Sequence, residues 1–267
     1  KITTAPILGV VPVYNMKKIS VSPLIVSDHP KSSISEALRS IRTNLEFICP
    51  NKRKKLITIT SSIGGEGKTF IAINLGAIIS LSNTKVLMLD LDLRKPRIHG
   101  TFGGENKIGI STFLIGKNRI EDCIQRTPVK SLDYISAGPI PPNPSELILM
   151  PQFDKMINSL FKQYDVIIID TPPVGLVTDA VLVMKNADIP IYIVRAGYSK
   201  KGFEKIISKL ITRNELVKLS IILNAFEHHD GTGYGYGYGY GYGHEYYEDE
   251  NDGKLPWIKR VFAIRNA

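Results

Sequence analysis

The sequence predicts an α/β fold, a three-layer sandwich of helices around a mostly parallel central sheet. Short runs rich in Ile, Val and Leu alternate along the chain with segments of helical periodicity, and strands that alternate with helices usually pair in parallel. The main apolar runs lie at 56–60, 86–89, 166–169, 189–194 and 219–223. Continuous apolar runs of this length are typical of strands that are buried on both faces. A chain of 267 residues can form one large domain of this kind or at most two small ones.

A glycine-rich loop follows the strand predicted at 56–60 and leads into a helix predicted at 70–81. Its glycines permit a tight turn that brings backbone N–H groups onto an anion, and the helix N-terminus adds further donors. This order of elements predicts a phosphate-binding P-loop, in which Lys68 reaches the β- and γ-phosphates and Thr69 holds Mg²⁺. The residues expected to bind the nucleotide are Gly64, Gly65, Glu66, Gly67, Lys68, Thr69 and Phe70. The loop is a variant, because the standard spacing has glycine where this chain has Ser62.

Acidic residues follow two other predicted strands. Asp90 and Asp92 come directly after the run at 86–89. Asp170 ends the run at 166–169 in the manner of a Walker B element. Ligands of parallel α/β sheets bind at the carboxyl edge of the strands, and carboxylates that lie close together there repel one another unless a cation separates them. The pattern therefore predicts a Mg²⁺ site, and the alternative is that Asp90 and Asp92 only cap the loop after their strand.

Composition and the first thirty residues leave several classes of partner open. The net charge of +9 suits phosphate ligands, nucleic acid or an anionic membrane surface equally well. No run approaches about 18 consecutive apolar residues, so no segment is predicted to span a membrane. Cys49 and Cys123 lack metal-ligand spacing and are expected to be packing residues in a reducing compartment. Four prolines punctuate residues 1–30, which we expect to be an extended arm with one strand around 7–13, and the start at Lys1 suggests a fragment of a longer protein.

An amphipathic helix is predicted at 33–48, where apolar residues recur at steps of three and four. Glu36, Arg39 and Arg42 lie at three-residue steps along one stripe of this helix. The stripe is either a solvated face with one weak ion pair or a docking surface.

A further helix is predicted at 145–161. Asn143, Pro144 and Glu146 occupy the positions of the N-cap, the first helical residue and the third, which predicts a capping box.

Composition changes abruptly toward the C-terminus. Residues 233–243 alternate Gly with Tyr. Seven of the twelve tyrosines lie between residues 234 and 247, at Tyr234, Tyr236, Tyr238, Tyr240, Tyr242, Tyr246 and Tyr247. Alternating glycine cannot build a packed core, so we expect a flexible tail at 231–253 whose phenols an enzyme can reach; a linker or an edge strand is the alternative. Residues 254–267 interleave apolar and basic side chains and predict a short helix that docks either on an anionic membrane or on the domain.

As a set, these motifs resemble those of the bacterial tyrosine kinases (BY-kinases), the cytoplasmic Wzc/CapB-type domains of polysaccharide co-polymerases. The matching segments are Gly65-Glu66-Gly67-Lys68-Thr69, Asp90-Leu91-Asp92-Leu93-Arg94, Asp170-Thr171-Pro172, Glu36-x-x-Arg39-x-x-Arg42 and the tyrosine cluster. The resemblance covers roughly residues 30–247 and is specific because five motifs occur in order. It implies the fold of ParA/MinD-like P-loop NTPases.

The resemblance implies an autokinase that binds ATP/ADP and Mg²⁺ and phosphorylates its tail tyrosines in trans within a ring, octameric in the family. The implied organisation is a juxtamembrane arm (1–30), a kinase domain (31–230), the tyrosine-rich tail (231–253) and a basic amphipathic segment (254–267). Expected partners are further copies of the chain, its own or a partner's transmembrane co-polymerase region, a cognate phosphotyrosine phosphatase and an anionic membrane surface, but no nucleic acid. The expected location is the cytoplasmic face of the bacterial inner membrane, where the kinase would regulate capsular or exopolysaccharide synthesis and export.

Roles are carried over only to the positions that match the family's motifs. Lys68 and Arg94 are expected to act on the phosphates, and Asp90 to orient the tyrosine hydroxyl or accept its proton. The expected Mg²⁺ ligands, direct or through water, are Thr69, Asp92 and Asp170. Asn224, after the last predicted strand, is added to the nucleotide-binding residues, and Glu36, Arg39 and Arg42 match the oligomerisation motif. Which aspartate has which role stays open, as does whether Arg94 or an arginine of a neighbouring subunit acts on the γ-phosphate.

Two other classes of function remain as alternatives. A ParA/MinD-type ATPase would share the fold and the Asp-x-Asp pattern, but these ATPases carry a signature lysine where this chain has Ile63, and they lack the tyrosine-rich tail. A non-catalytic, nucleotide-gated scaffold for polysaccharide export is the third hypothesis. The intact set of Lys68, Asp90, Asp92 and Asp170 argues against it.

Overall fold

The computed structural model describes residues 4–13, 24–50, 52–175 and 179–227. In these residues eight strands form one sheet: β1 (Ile7–Pro12), β2 (Lys55–Ser61), β3 (Val86–Asp90), β4 (Ile124–Arg126), β5 (Leu132–Ile135), β6 (Val166–Asp170), β7 (Ile189–Arg195) and β8 (Ser220–Phe226). Their order across the sheet is β1-β8-β7-β2-β6-β3-β5-β4, and every neighbouring pair is parallel except β4 with β5. The predicted, mostly parallel sheet is confirmed.

Ten α-helices are present in the described part of the chain: α1 (Ile25–Asp28), α2 (Ser33–Ile48), α3 (Lys68–Ser80), α4 (Ile98–Thr101), α5 (Ile110–Leu114), α6 (Ile120–Cys123), α7 (Pro144–Leu149), α8 (Pro151–Leu160), α9 (Asp179–Lys185) and α10 (Glu204–Thr212). Ile168 of β6 belongs to a core shared with α1, α2 and α3. Its neighbours Ile167 and Ile169 belong to a second core shared with α5, α7 and α8. Because successive strand residues face opposite sides, helices cover both faces of the sheet and the three-layer sandwich is confirmed.

The two helices that flank the P-loop region form for different reasons. The hydroxyl of Ser32 accepts the N–H of Ser35 over 3.3 Å and caps α2, whose apolar residues lie along one buried face. α3 is buried on nearly all sides because it lies between α2 and the sheet. Its N-terminus meets the carboxyl end of β2, which pairs with β7 on one side and β6 on the other.

The N-terminal residues contribute to the folded sheet. β1 and α1 both lie within residues 1–30, which the sequence analysis assigned to an arm with one strand. The strand is present and forms one edge of the sheet, parallel to β8. Gly9 packs so closely on α2 that a Cβ there would lie 2.3 Å from Cγ1 of Ile41, and Asn44 Nδ2 donates to the carbonyl of Leu8 over 2.9 Å. At least this part of the predicted arm is therefore joined to the domain.

The prediction of a single helix at 145–161 is wrong, because the segment forms two helices, α7 and α8. They are separated at Met150, whose ψ of 141° is extended. Pro151 causes the break, since proline has no N–H and disfavours a helical conformation at the residue before it. The predicted capping box is also wrong: the side chain of Asn143 makes no capping hydrogen bond, although Pro144 begins α7 as expected.

Among the residues described, no helix is long and apolar enough to cross a membrane. The tyrosine-rich tail at 231–253 and the segment at 254–267 lie outside the described residues. The predictions made for them stay predictions.

Candidate active site

The P-loop lies at the carboxyl edge of the sheet, between β2 and α3. Gly67 is the N-cap of α3 and has a φ of 95°, a left-handed conformation that favours glycine. Lys68 and Thr69 are thus the first two residues of the helix, where backbone N–H groups have no partner within the helix. The loop, the Lys-Thr pair and the helix N-terminus stand in the order that phosphate binding requires.

Two of the three residues expected to hold Mg²⁺ are in contact. The Thr69 hydroxyl donates to Oδ2 of Asp170 over 2.5 Å, which joins the P-loop helix to β6. Burial raises the pKa of Asp170 to about 6, and the nearby Lys68 ammonium and the Thr69 hydroxyl oppose this rise. Lys68 itself is only 7% exposed. The site therefore brings together the buried Lys68 cation and the Thr69 hydroxyl at the start of α3 and the Asp170 carboxylate at the end of β6.

Asp90 is the neighbour of Asp170 in the register of β3 with β6. Its Oδ2 accepts the backbone N–H groups of Arg97 over 2.8 Å and Ile98 over 2.9 Å. Burial, followed by the charge of Asp170, raises the pKa of Asp90 to about 7. The Oδ1 atoms of both aspartates are buried and have no hydrogen-bond partner among the described residues. Orphaned buried carboxylate oxygens are costly, and the pair fits a site that a cation completes.

Asp92 lies in the turn after β3 and is half-buried. Its Oδ1 accepts the N–H of Lys95 over 3.1 Å, and Oδ2 of Asp90 accepts the N–H of Arg97. Both aspartates therefore cap this turn, which was the alternative to a Mg²⁺ site in the sequence analysis. Capping does not account for the buried free oxygen of Asp90. In the described part of the chain, the acidic side chains do not form a cluster of three that holds a metal ion by itself. Mg²⁺ usually takes one or two protein carboxylates and completes its shell with water and phosphate, so Thr69, Asp92 and Asp170 fit a Mg-nucleotide.

The arginine of the Asp-x-Asp-x-Arg motif is directed toward α7. Nη2 of Arg94 lies 3.5 Å from the hydroxyl of Ser145, so its expected role at the γ-phosphate stays a prediction. A different arginine lies at the acidic edge: the backbone N–H of Arg97 donates to Asp90, and its charge lowers the pKa of Asp170 against the larger effect of burial. Sequence reasoning missed Arg97 because it lies beyond the motif, where an arginine has no distinguishing local pattern.

Several buried side chains in and next to the P-loop form hydrogen bonds that fix the loop. The carboxylate of Glu66 is fully buried and accepts a backbone N–H of the loop over 2.8 Å and the hydroxyl of Ser199. Asn224 Nδ2 donates to the carbonyl of Glu66 over 2.9 Å. Ser62, which replaces the usual glycine, is hydrogen-bonded to the phenol of Tyr192 at 2.5 Å. Tyr192 and Ser199 were missed because they are 130 and 133 residues distant in sequence from these partners and belong to no local motif.

Comparison with known proteins identifies the family. Residues 54–221 match a family model described as an AAA domain. CapB of Staphylococcus aureus is 37% identical over 218 residues, which cover 82% of this chain and 96% of CapB. The tyrosine-protein kinase YwqD of Bacillus subtilis is 38% identical over 178 residues, which cover 67% of this chain and 75% of YwqD. The chain belongs to the bacterial tyrosine kinase family.

Other relatives show how this tyrosine kinase chain compares in length and fold. The tyrosine-protein kinase wzc of Salmonella typhimurium is 35% identical over 220 residues, 82% of this chain but 30% of wzc. The solved kinase domain of the Escherichia coli tyrosine kinase ETK has a TM-score of 0.77 at 31% identity and covers 88% of this chain and 95% of that domain. MinD of Pyrococcus horikoshii, solved with Mg-ADP, has a TM-score of 0.51 at 25% identity and covers 63% of this chain and 68% of MinD. The predicted ParA/MinD-like P-loop fold is confirmed, and the kinases match more of it than MinD does.

The stripe of Glu36, Arg39 and Arg42 on α2 makes contacts within its own chain. Arg39 forms an ion pair with Glu36 and donates to the carbonyl of Pro30 over 2.7 Å. Arg42 donates to the hydroxyl of Ser82 over 2.8 Å and to a carbonyl near the end of α3. All three stripe residues are half-buried, so their contacts within the chain leave part of each side chain open to a neighbour. Their role in oligomerisation stays a prediction.

Proposed function

We propose that the chain is an ATP-dependent protein-tyrosine kinase whose substrates are the tyrosines of its own tail. The observation that carries the proposal is the hydrogen bond from Thr69 to Asp170 beside the buried Lys68, because it joins the phosphate-binding loop to the acidic edge of the sheet. Family membership supports tyrosine as the acceptor, since relatives such as YwqD and wzc are named tyrosine-protein kinases.

The mechanism relies on position and charge, because phosphoryl transfer needs little covalent chemistry from the protein. Lys68 and the P-loop N–H groups bind the β- and γ-phosphates. Thr69, Asp92 and Asp170 hold Mg²⁺, which when bound shields the phosphate charge from these carboxylates. Asp90 orients the incoming tyrosine hydroxyl and accepts its proton. In the metal-free protein, burial and the charge of Asp170 raise the pKa of Asp90 to about 7.

The proposed phosphoacceptors are the seven tail tyrosines, presented by a neighbouring copy in a ring. The support comes from the sequence, which places glycine-separated tyrosines on the same chain as a complete phosphoryl-transfer site. A ring that closes by head-to-tail contacts raises the local concentration of the neighbour's tail. Each phosphate adds about −1.5 to −2 charges, so several phosphates on each tail repel and favour the monomer.

The proposed setting is the cytoplasmic face of a bacterial inner membrane, in a system that makes capsular or exopolysaccharide. The proposed partners are the chain's own or another protein's transmembrane co-polymerase region and a phosphotyrosine phosphatase, with an anionic membrane surface for the basic segment at 254–267. The chain matches 30% of the length of wzc, so at least one tyrosine-protein kinase of this family joins such a segment to further sequence.

Transfer in trans is tested by separating the acceptor from the active site. A Lys68→Met chain with an intact tail is mixed with an active chain that lacks residues 233–247, Mg-ATP is added, and intact masses are followed. We expect phosphate on the Lys68→Met tail in the mixture and none when either chain is incubated alone. A Lys68→Met chain whose tail tyrosines are all changed to Phe is the control and should stay unlabelled. An unlabelled acceptor tail would reject transfer in trans. Full labelling without loss of the oligomer in sedimentation velocity would reject dissociation by phosphorylation but keep the kinase.

Assembly is tested by removing the stripe. Changing Glu36, Arg39 and Arg42 to Ala should convert the unphosphorylated ring into a monomer, because the half-exposed charges can no longer pair with a neighbour. The matched control changes Glu105, Lys107 and Arg119 to Ala, which removes two exposed ion pairs and the same net charge elsewhere. Sedimentation velocity distinguishes the states, and thermal unfolding shows whether loss of the Arg42 contact to Ser82 has unfolded the variant. Identical sedimentation of the parent and the stripe variant would count against this assembly surface.

A further inference from the structure

Three consecutive carbonyl groups of the P-loop accept hydrogen bonds from side chains outside the loop. The Tyr198 hydroxyl donates to the carbonyl of Gly64 over 3.1 Å, and Arg195 Nη1 donates to the carbonyl of Gly65 over 2.7 Å. Asn224 Nδ2 donates to the carbonyl of Glu66 over 2.9 Å. We call Arg195, Tyr198 and Asn224 the P-loop brace. The brace comes from the end of β7, the turn after it and β8. β7 pairs with β2 on the side away from β6 and Asp170, and β8 lies beyond β7.

The direction of these carbonyls determines where the loop's N–H groups point. The peptide bonds here are trans, and in a trans peptide the N–H points opposite to the C=O. Holding the carbonyls of Gly64, Gly65 and Glu66 toward the brace therefore turns the N–H groups of the next three residues, 65 to 67, away from it. Successive N–H groups on one concave side of a loop form an anion-binding nest, and this nest precedes the N-terminus of α3.

The residues of the brace are held in place by hydrogen bonds and by a contact with each other. Within its turn, Tyr198 N–H and Ser199 N–H both donate to the carbonyl of Arg195, over 3.2 and 2.9 Å. Ala196 N–H donates to the carbonyl of Asn224 over 2.9 Å, which attaches the turn to β8. The Arg195 guanidinium lies 5.0 Å from the centre of the Tyr198 ring, within the range of a cation–π contact. The two side chains therefore support each other as well as the loop.

The fit between the brace and the loop is close at two glycines. A Cβ on Gly65 would lie 2.8 Å from the Tyr198 hydroxyl, and a Cβ on Gly67 would lie 2.2 Å from Nδ2 of Asn224. Both glycines have positive φ, of 86° and 95°. Glycine at positions 65 and 67 therefore leaves room for the side chains of the brace, in addition to letting the backbone approach a phosphate.

We propose that Arg195 and Tyr198 are positioning residues of the phosphate site, which hold the P-loop in its phosphate-binding shape before the nucleotide arrives. The inference rests on the proposed nucleotide-binding function and adds two residues to it. Both side chains act through the loop, because each donates to a carbonyl on the side opposite the nest. A preformed nest spares the nucleotide the cost of ordering the loop, so loss of the brace weakens phosphate binding.

The test compares two Tyr→Phe variants of the full chain. Tyr198→Phe removes only the hydroxyl that contacts Gly64, and Tyr164→Phe removes a hydroxyl that donates to Asp133 over 2.8 Å, in another part of the domain. Dissociation constants for Mg-ADP and for magnesium pyrophosphate are measured by calorimetry. We expect Tyr198→Phe to weaken both ligands about fivefold and Arg195→Met to weaken both at least as much, the loss typical of one hydrogen bond. Tyr164→Phe should leave both constants unchanged.

The pyrophosphate arm separates an effect on the phosphate site from contact with the nucleoside. Equal losses for the two ligands support the brace, whereas a loss for Mg-ADP alone would show contact with the nucleoside and overturn it. Unchanged constants in Tyr198→Phe and Arg195→Met would also overturn it, as would equal changes in Tyr164→Phe. In steady-state assays, the brace predicts a raised KM for ATP with little change in kcat. Binding of Mg-ADP by a parent chain that forms no phosphotyrosine would reject the kinase and leave the brace standing, and a parent that binds neither ligand would reject both.

Discussion

Lys68→Met is expected to lower tyrosine phosphorylation by about a hundredfold or more while the fold stays intact, a loss of the size seen when one transition-state donor is removed. Lys68 is the first residue of α3, is nearly buried, and lies close enough to Asp170 to lower the pKa of that carboxyl against the effect of burial. In the Lys68→Met variant, no lysine ammonium at position 68 offsets the charge of Asp90, Asp92 and Asp170 when a triphosphate binds.

The Lys68→Met experiment has a matched control in Lys52→Met. Lys52 is exposed and pairs with the half-buried Asp188 before β2, at the opposite edge of the sheet. Asp188 also accepts the N–H of Leu56, so it keeps a partner when Lys52 is replaced. Phosphotyrosine yield is measured for both purified variants with Mg-ATP, together with circular dichroism and the unfolding midpoint. Lys52→Met should keep the parent's activity. A normal yield from Lys68→Met, or equal losses in both variants, would refute the assignment.

Asp90→Asn is expected to lower activity by about a hundredfold, as loss of a general base does, and also to stabilise the metal-free protein at pH 8. The amide oxygen can still accept the N–H groups of Arg97 and Ile98, so the turn after β3 should persist. The amide nitrogen would stand near Asp170 as a donor in place of a repelling carboxylate oxygen.

The sign of the stability change follows from the raised pKa. Burial and the charge of Asp170 raise the pKa of Asp90 from 3.8 to about 7, so between these values the folded state binds more protons than the unfolded state. Stability of the metal-free protein therefore falls as pH rises through this window, by at most about 1.4 kcal/mol per pH unit for one group. The amide of the Asp90→Asn variant does not titrate, so the variant does not lose this contribution of residue 90 to stability. It should therefore be more stable than the parent at pH 8, and this difference should be absent near pH 4.

Unfolding midpoints in EDTA at pH 4 and pH 8 measure this effect, with Asp154→Asn as the control for the same change at an exposed position on α8. Addition of Mg-ADP at pH 8 should reduce the difference between the parent and Asp90→Asn, because a bound cation favours the ionised carboxylate. A lower midpoint for Asp90→Asn than for the parent at pH 8 would contradict the proposed electrostatics.

The sequence predicted the centre of the fold because the central strands carry strong local signals. β2, β3 and β6 are buried on both faces and are rich in apolar and β-branched residues. The P-loop follows β2, and Asp90 and Asp170 end β3 and β6. β4 was not predicted, because three residues at an antiparallel edge have no periodicity to detect. The break between α7 and α8 could be predicted from Pro151, because proline disfavours a helical conformation at the residue before it.

The candidate site was predictable only where its residues belong to a motif. The contact of Thr69 with Asp170 follows from the edge at which parallel strands end, so the two motifs could be placed together without coordinates. The brace could not be predicted, because Arg195 and Tyr198 meet the loop through contacts that span 130 and 134 residues. Neither residue type, nor its spacing, marks it as a partner of a glycine-rich loop.

The position of β1 has a consequence for the boundaries of any shortened fragment. A fragment that began at residue 31 would lose β1 and leave β8 as the new edge of the sheet. The backbone groups of β8 now paired with β1 would become a template for strands of other molecules, and the α2 residues that pack on Gly9 and Leu8 would be uncovered. Exposed apolar edges of this kind promote aggregation. Such a fragment should precipitate more readily than one that begins before Ile7, whatever its catalytic competence.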